Sequence, residues 1–265
     1  MPSADVAPYL DFARNIAIEA GAVVLPHFRQ ALAVEDKRNF MGYDPVTIAD
    51  HAAEDVIRSA IKRAYPDHGI HGEEHGRETG TSNFTWVIDP IDGTKSFILG
   101  QLHWAILIAL HDGTAPVVGV AYQPFVGEMF SGVAGGTAQW QRGDEARTLN
   151  TRKCARIEDA VVATTDPRQF VSADEKRALA EVSTDARLLR YGGDCYCYTQ
   201  LAMGLVDVVI ENGLGAYDIQ ALIPLIEAAG GVVSNWSGGR CDEGGAVLAC
   251  GDPTLHKALI SRLKG

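Results

Sequence analysis

The sequence predicts a mixed α/β (α+β) fold in which helices are layered against sheets. Three observations lead there. Two successive segments near the N-terminus carry apolar residues at helical spacing. A series of short β-rich runs separated by turn signals follows, and beyond about Asn150 strand-like and helix-like segments alternate.

Residues 8–29 place Leu10, Ala13, Ile16, Ala17, Ala20 and Val24 on one helical face, and residues 47–64 do the same with Ala49, Ala53, Val56, Ile57, Ala60 and Ile61. The β-rich runs at 85–88, 105–110, 117–122 and 128–133 are punctuated by Asp-Gly, Gly and Pro, as antiparallel strands would be. The stretch 132–136 lacks the strand, glycine spacing and helix of a dinucleotide loop and reads as a hairpin turn. Further on, strands are expected at 160–164, 186–189 and 206–210, and helices at 174–182 and 195–203. A helix over 216–229 stops at Gly230-Gly231, followed by strands at 231–234 and 246–250 and a closing helix over 253–263. The expected division is residues 1–149, helices plus antiparallel sheet, and residues 150–265, a smaller α/β half.

The chain has 265 residues, 46% apolar and 22% charged, which is ordinary for a globular protein with a substantial core. Its net charge of −11 argues against a nucleic-acid partner, because affinity for a phosphate backbone comes from clustered Lys and Arg. The longest apolar run, Trp104 to Leu110, is too short to span a bilayer, so no membrane partner is expected. Met1 to Pro8 shows no positive region followed by an apolar stretch; no secretory signal is expected, and the mature chain is expected to begin here. Five cysteines without C-x-x-C spacing suggest neither a disulfide framework nor a zinc site, and fit a reducing cytoplasm.

Three acidic clusters carry chemistry: Gly72-Glu73-Glu74, the run Trp86-Val87-Ile88-Asp89-Pro90-Ile91-Asp92-Gly93-Thr94, and Ala216-Tyr217-Asp218. Pro90 denies a regular helix or central strand and is expected to force a turn that brings Asp89 and Asp92 to one point. Carboxylates with a backbone carbonyl, here that of Ile91, form the hard oxygen set that Mg²⁺ prefers. Gly93-Thr94 lets backbone N–H groups approach a phosphate at a helix start. Taken singly, an Asp-Gly pair can be only a turn and a Glu-Glu pair only a solvated face. Their occurrence together, in this order, points to a metal-and-phosphate site.

These clusters, with Ala228-Ala229-Gly230-Gly231 after the third, resemble the inositol monophosphatase family over nearly the whole chain. The resemblance implies a layered α-β-α-β-α sandwich, usually a homodimer, that hydrolyses a small phosphorylated metabolite with two or three Mg²⁺ per active site. It implies that Glu73, Asp89 and the Ile91 carbonyl hold one ion, and that Asp89, Asp92 and Asp218 hold a second. Glu73 with Thr94 would activate the attacking water, with Asp50 supporting Thr94. Substrate contacts would come from Asp92, Gly93, Thr94, Asp194, Cys195 and Glu211, with Arg190 a candidate for phosphate or for a surface salt bridge.

The family often has Trp before the last aspartate, whereas this chain has Tyr217. That residue, with Gly192-Gly193-Asp194-Cys195-Tyr196, resembles the bacterial histidinol-phosphate phosphatase branch. Histidinol phosphate carries an ammonium and an imidazole, which an acidic pocket would favour over inositol's hydroxyls. Asp194 stands where inositol enzymes are uncharged; it could pair with the ammonium or cap the helix near Cys195. Glu211 has a counterpart in both. An inositol monophosphatase, a sugar bisphosphatase, a nucleotide 3′-phosphatase and a regulatory protein contacting RNA-processing or transcription machinery remain alternatives on the same fold. His71, His75 and His103 lack zinc spacing, and Cys195-Tyr196-Cys197 reads as packing.

Overall fold

A computed structural model describes residues 6–31, 34–37 and 45–264. Helix α1 (Ala7–Val24) buries Ala13, Ile16, Ala17, Ala20 and Val24, the expected face. It ends earlier than residue 29 because Pro26 cannot continue it, and the chain tightens into a 3₁₀ turn at Leu25–His27. Strands β1 (Val34–Asp36) and β2 (Pro45–Thr47) form a small antiparallel pair before α2 (Ile48–Ala64). The start of α2 is set by a capping box in which Thr47 Oγ1 accepts from Ala49 N and Asp50 Oδ2 accepts from Thr47 N.

Next come β3 (Gly69–Gly72), β4 (Gly76–Glu78), β5 (Thr85–Asp92), α3 (Thr94–Ile98), β6 (Ala105–His111), β7 (Pro116–Gln123), β8 (Glu128–Val133), β9 (Ala138–Arg142) and β10 (Glu145–Thr148). They make an eight-stranded sheet in the order β10-β9-β8-β7-β6-β5-β3-β4, with β3 and β5 parallel and the other neighbours antiparallel. The remaining elements are β11 (Val161–Thr164), α4 (Ala173–Ser183), β12 (Leu188–Tyr191), α5 (Cys195–Ala202), β13 (Val208–Leu214), α6 (Ala216–Ile219), α7 (Leu222–Ala228), β14 (Val232–Asn235), β15 (Gly245–Cys250) and α8 (Pro253–Lys264). Their five strands form a mixed sheet ordered β12-β11-β13-β15-β14.

The period-two alternation of the strands sorts these elements into layers. Trp86, Ile88, Ile106, Ile108 and Val120 face α1 and α2, while Val87, Leu107, Ala109, Ala121 and Phe130 face the other way, onto Leu201, Ile219, Leu222 and Leu225 of α5 to α7. Those helices pack in turn on Val209, Val247 and Ala249 of the second sheet. Its far face, with Val162, Val208, Ile210 and Leu248, is covered by Val182 of α4 and Leu255 and Leu259 of α8. Three core clusters therefore fill the four interfaces between five layers, the one around α5 to α7 lying on both sides of those helices, and make the α-β-α-β-α sandwich. Among the described residues no helix is long and apolar enough to cross a membrane.

Two local expectations are corrected. The chain does not turn at Pro90; β5 runs through it to Asp92. Pairing with β3 ends at Ile88, and the register with β6 shifts between Asp89 and Asp92, so Pro90 sits in a bulge where no ladder donor is required. The single helix expected over 216–229 is two, α6 and α7, because Pro224 lacks an N–H and its ring crowds the carbonyl of residue 220.

Candidate active site

Asp89 and Asp92 stand on either side of the β5 bulge, and Asp218 lies in the first turn of α6, where its Oδ2 accepts from Gly215 N at 2.6 Å. One carboxylate oxygen from each of the three lies within 4.8 Å of the others. Asp89 is fully buried, with Oδ1 accepting from Ile91 N at 3.1 Å. Burial first, then Glu73, Asp92 and Asp218, pushes its carboxyl well above the usual range. Burial, Asp218 and Asp194 do the same to Asp92. Carboxylates this close in a low-dielectric site ionise together only if a cation joins them, so the cluster could hold a metal ion. Its all-oxygen donors suit a hard one.

Glu73, at the turn between β3 and β4, lines the same cavity, about 130 Å³ in volume, together with Ile91, Gly93 and Thr94. Burial raises its pKa to about 8, Lys37 opposes this, and Asp218 and Glu74 add to it. The Lys37 ammonium lies 3.1 Å from Glu73 Oε1 and 2.8 Å from Glu74 Oε1. Gly93 adopts φ 87°, and a Cβ there would stand 2.5 Å from the His103 carbonyl, so the position demands glycine. Thr94 Oγ1 donates to the Ile91 carbonyl at 3.0 Å. The expected support of Thr94 by Asp50 is not made in this structure. Asp50 Oδ2 accepts from Thr47 N and Oγ1, because the capping box claims it, and the buried Oδ1 has no hydrogen-bond partner among the described residues.

A second cavity of about 180 Å³ adjoins the first and shares Glu73, Asp92, Lys95, Asp194 and Asp218 with it. Asp194 precedes α5, yet its side chain does not cap that helix; Ser96 Oγ donates to its Oδ2 at 2.8 Å. The cap comes from another strand, with Cys195 N donating to Asp92 Oδ2 at 2.7 Å. The Cys195 amide is thereby occupied, and burial pushes its thiol well up. Asp194 is held at φ 46°, a conformation that costs a non-glycine residue about 1–3 kcal/mol, and such strain tends to collect at ligand sites.

Glu211 on β13 forms a buried wall of this cavity: Oε1 accepts from Thr165 N at 2.7 Å, and Oε2 has no hydrogen-bond partner among the described residues. Tyr198 OH and Gln169 Oε1, also in the lining, are likewise buried without hydrogen-bond partners among the described residues. Arg190 is not brought here; it is exposed on the edge strand β12 and lines neither cavity. Sequence reasoning missed Lys95, Gln169 and Tyr198. Lys95 directly follows the Gly93-Thr94 pair and could have been found from it; the other two carry no local signal.

Residues 5–264 match the profile described as "Inositol monophosphatase family". Similar proteins include "Bifunctional phosphatase IMPL2, chloroplastic" of Arabidopsis thaliana, 36% identical over 94% of this chain and 73% of that one. A "Histidinol-phosphatase" of Chlorobaculum parvum is 31% identical over 97% of both chains. "Nus factor SuhB" of Escherichia coli is 32% identical over 97% of this chain and 96% of its own. Among solved structures, an inositol monophosphatase from Zymomonas mobilis superposes with a TM-score of 0.86 at 32% identity, covering 98% of this chain and 99% of that one. With a full-length profile match, this level of identity and the acidic cluster at the sheet end, the chain belongs to the inositol monophosphatase family, a family of phosphoric monoester hydrolases.

Proposed function

We propose that this chain is a Mg²⁺-dependent histidinol-phosphate phosphatase, converting L-histidinol phosphate and water to L-histidinol and phosphate in histidine biosynthesis. The observation that carries the substrate is the second cavity. Glu211 Oε2, Tyr198 OH and Gln169 Oε1 are buried there without hydrogen-bond partners among the described residues, beside Asp194. A buried acceptor left unpaired is costly, so the wall calls for a leaving group rich in N–H donors. An ammonium and an imidazole supply donors and positive charge; inositol supplies donors only. The similarity to the Chlorobaculum histidinol-phosphatase supports the same reading.

In this reading Glu73, Asp89 and the Ile91 carbonyl would hold one Mg²⁺, and Asp89, Asp92 and Asp218 would hold another, with two or three ions per site. Mg²⁺ held there would supply charge to neutralise the phosphate and to lower the pKa of water, which suits an in-line displacement without a phosphoenzyme. Glu73 would take the water's proton while Thr94 orients it. Gly93 admits the phosphate, and Asp194 and Glu211 hold the ammonium end so that the ester oxygen points away from the water. Residues 1–149 supply Glu73, Asp89, Ile91 and Asp92, and residues 150–265 supply Asp218 and the selecting carboxylates. The working unit is a homodimer in the cytoplasm.

The test is a substrate panel. A charged contact contributes about 1.5–3 kcal/mol, roughly 10- to 150-fold, so kcat/KM on histidinol phosphate should exceed that on inositol 1-phosphate by at least about 10-fold. Equal values overturn the histidinol-phosphate assignment, and a preference for inositol 1-phosphate assigns the chain to the inositol phosphates instead. A second reading, a regulatory protein binding RNA-processing or transcription machinery, is favoured by the likeness to the Nus factor. It predicts partner capture that EDTA does not alter. The presence of Glu73, Asp89, Asp92 and Asp218 favours the enzyme.

A further inference from the structure

We propose that Glu54, which lines neither cavity, is the positioning residue that sets Glu73 for cation binding; this rests on the metal-site reading above. On α2, Glu54, Arg58 and Lys62 recur every four residues, a pattern that on an open helix makes exposed ion pairs of small worth. Here the β3–β4 hairpin covers Glu54 and Arg58 and leaves Lys62 exposed. Glu54 is 0% and Arg58 8% exposed.

The carboxylate of Glu54 grips the backbone of the turn that carries Glu73. Oε2 accepts from Glu74 N at 2.8 Å, and Oε1 accepts from His75 N at 3.2 Å. Arg58 Nε donates to Glu54 Oε1 at 2.6 Å, and Arg58 Nη2 donates to the Gly76 carbonyl. The three residues after Glu73 are thus each tied to α2 through one buried ion pair. On its other side, Glu73 N donates to the Ile88 carbonyl, next to Asp89. Glu73 is therefore fixed between α2 and the strand bearing the other ligands.

Gly72 shows that the carboxylate's location is built in. A Cβ at this position would collide with Glu54 Oε1, so the strand leaves out a side chain to admit the carboxylate. Hairpin closure alone does not call for a buried charge, since β3 and β4 already pair through Ile70, His71 and Gly72. What the ion pair adds is a fixed turn at residues 74–76. Partners that orient a metal ligand typically change metal affinity or activity by 10- to 100-fold when lost.

The experiment compares Glu54→Gln, Arg58→Lys and Glu73→Gln with the parent protein, stripped of metal, by calorimetric titration with Mg²⁺ alone and by phosphate release. Glutamine keeps the shape but sets an NH₂ group against N–H donors. Glu54→Gln should weaken Mg²⁺ binding about 10-fold or more. Saturating Mg²⁺ should restore kcat to within about threefold, with KM for the phosphate ester changed by less than about twofold. If Glu54→Gln folds, as judged by its melting transition in EDTA, and binds Mg²⁺ like the parent, the positioning role is overturned. Should it not fold, Arg58→Lys decides on the same readout, with weaker Mg²⁺ binding expected and parental affinity overturning the inference. Parental affinity in Glu73→Gln would instead overturn the metal-site reading on which the inference stands.

Discussion

Asp89→Asn is expected to lower kcat by about 10³-fold or more at any Mg²⁺ concentration while raising the melting temperature of the metal-free protein. Asparagine preserves the volume and the acceptor for Ile91 N but removes the charge shared by both proposed ions. Loss of a single preorganised electrostatic contact in a water-excluded site already reduces turnover 10²- to 10³-fold, and this charge serves two. Parental turnover at saturating Mg²⁺ would rule out the shared ligand.

The stability half follows from linkage. Burial and three neighbouring carboxyls raise the folded pKa of Asp89, so the folded protein holds this proton where the unfolded chain has released it. Stability contributed by such a group is full below the unfolded carboxyl pKa, about 3.9, and declines as pH rises above it. Asparagine has no proton to lose. Its advantage should therefore be present at pH 7 in EDTA, worth about 2–4 °C per kcal/mol for a protein somewhat smaller than this one, and vanish under acid conditions. A higher melting point without activity separates a removed charge from a damaged fold.

The reach of sequence reasoning was set by how local each signal is. Asp89, Asp92 and Asp218 could be identified because each lies in a short motif, and the cluster's geometry brings them together. The strand at 85–88 was legible as a β-rich run, but three apolar residues in succession do not say that Trp86 and Ile88 face one core and Val87 another. Pro90 misled because a proline excludes a ladder bond but not a bulge, and whether a neighbour needs that bond depends on a strand elsewhere in the chain. Asp194 reads as a helix cap by position, yet Asp92, over a hundred residues away, takes that role and frees Asp194 for the cavity. Glu54 and Arg58 look like any exposed i, i+4 pair until the hairpin covers them. Arg190 had two readings for a related reason: only strand register places it on an exposed edge, outside both cavities.

Both site carboxylates that matter most are held against their own stability, which is why Glu211→Gln should also gain stability as it loses function. Burial raises the Glu211 pKa from the ordinary 4.5 to about 8, with Thr165 pulling it the other way. Between those values the folded state keeps a proton that the unfolded chain has lost, so the ligand-free protein should lose stability as pH rises from about 4.5 to about 8. Glu211→Gln should flatten that slope and add on the order of a few kcal/mol at pH 8. In catalysis the loss falls on charge: kcat/KM on histidinol phosphate should drop roughly 10- to 150-fold. A phosphate ester without a cation, such as p-nitrophenyl phosphate, should change by less than about threefold. Equal losses on both esters would make Glu211 a structural strut held by Thr165. Binding provides an independent sign. An ammonium beside Glu211 lowers its pKa, so histidinol binding at pH 7 should expel a proton, seen as a binding heat that depends on the buffer's ionisation enthalpy. Glutamine at position 211 should erase that dependence, and a parent protein that never shows it places the ammonium elsewhere.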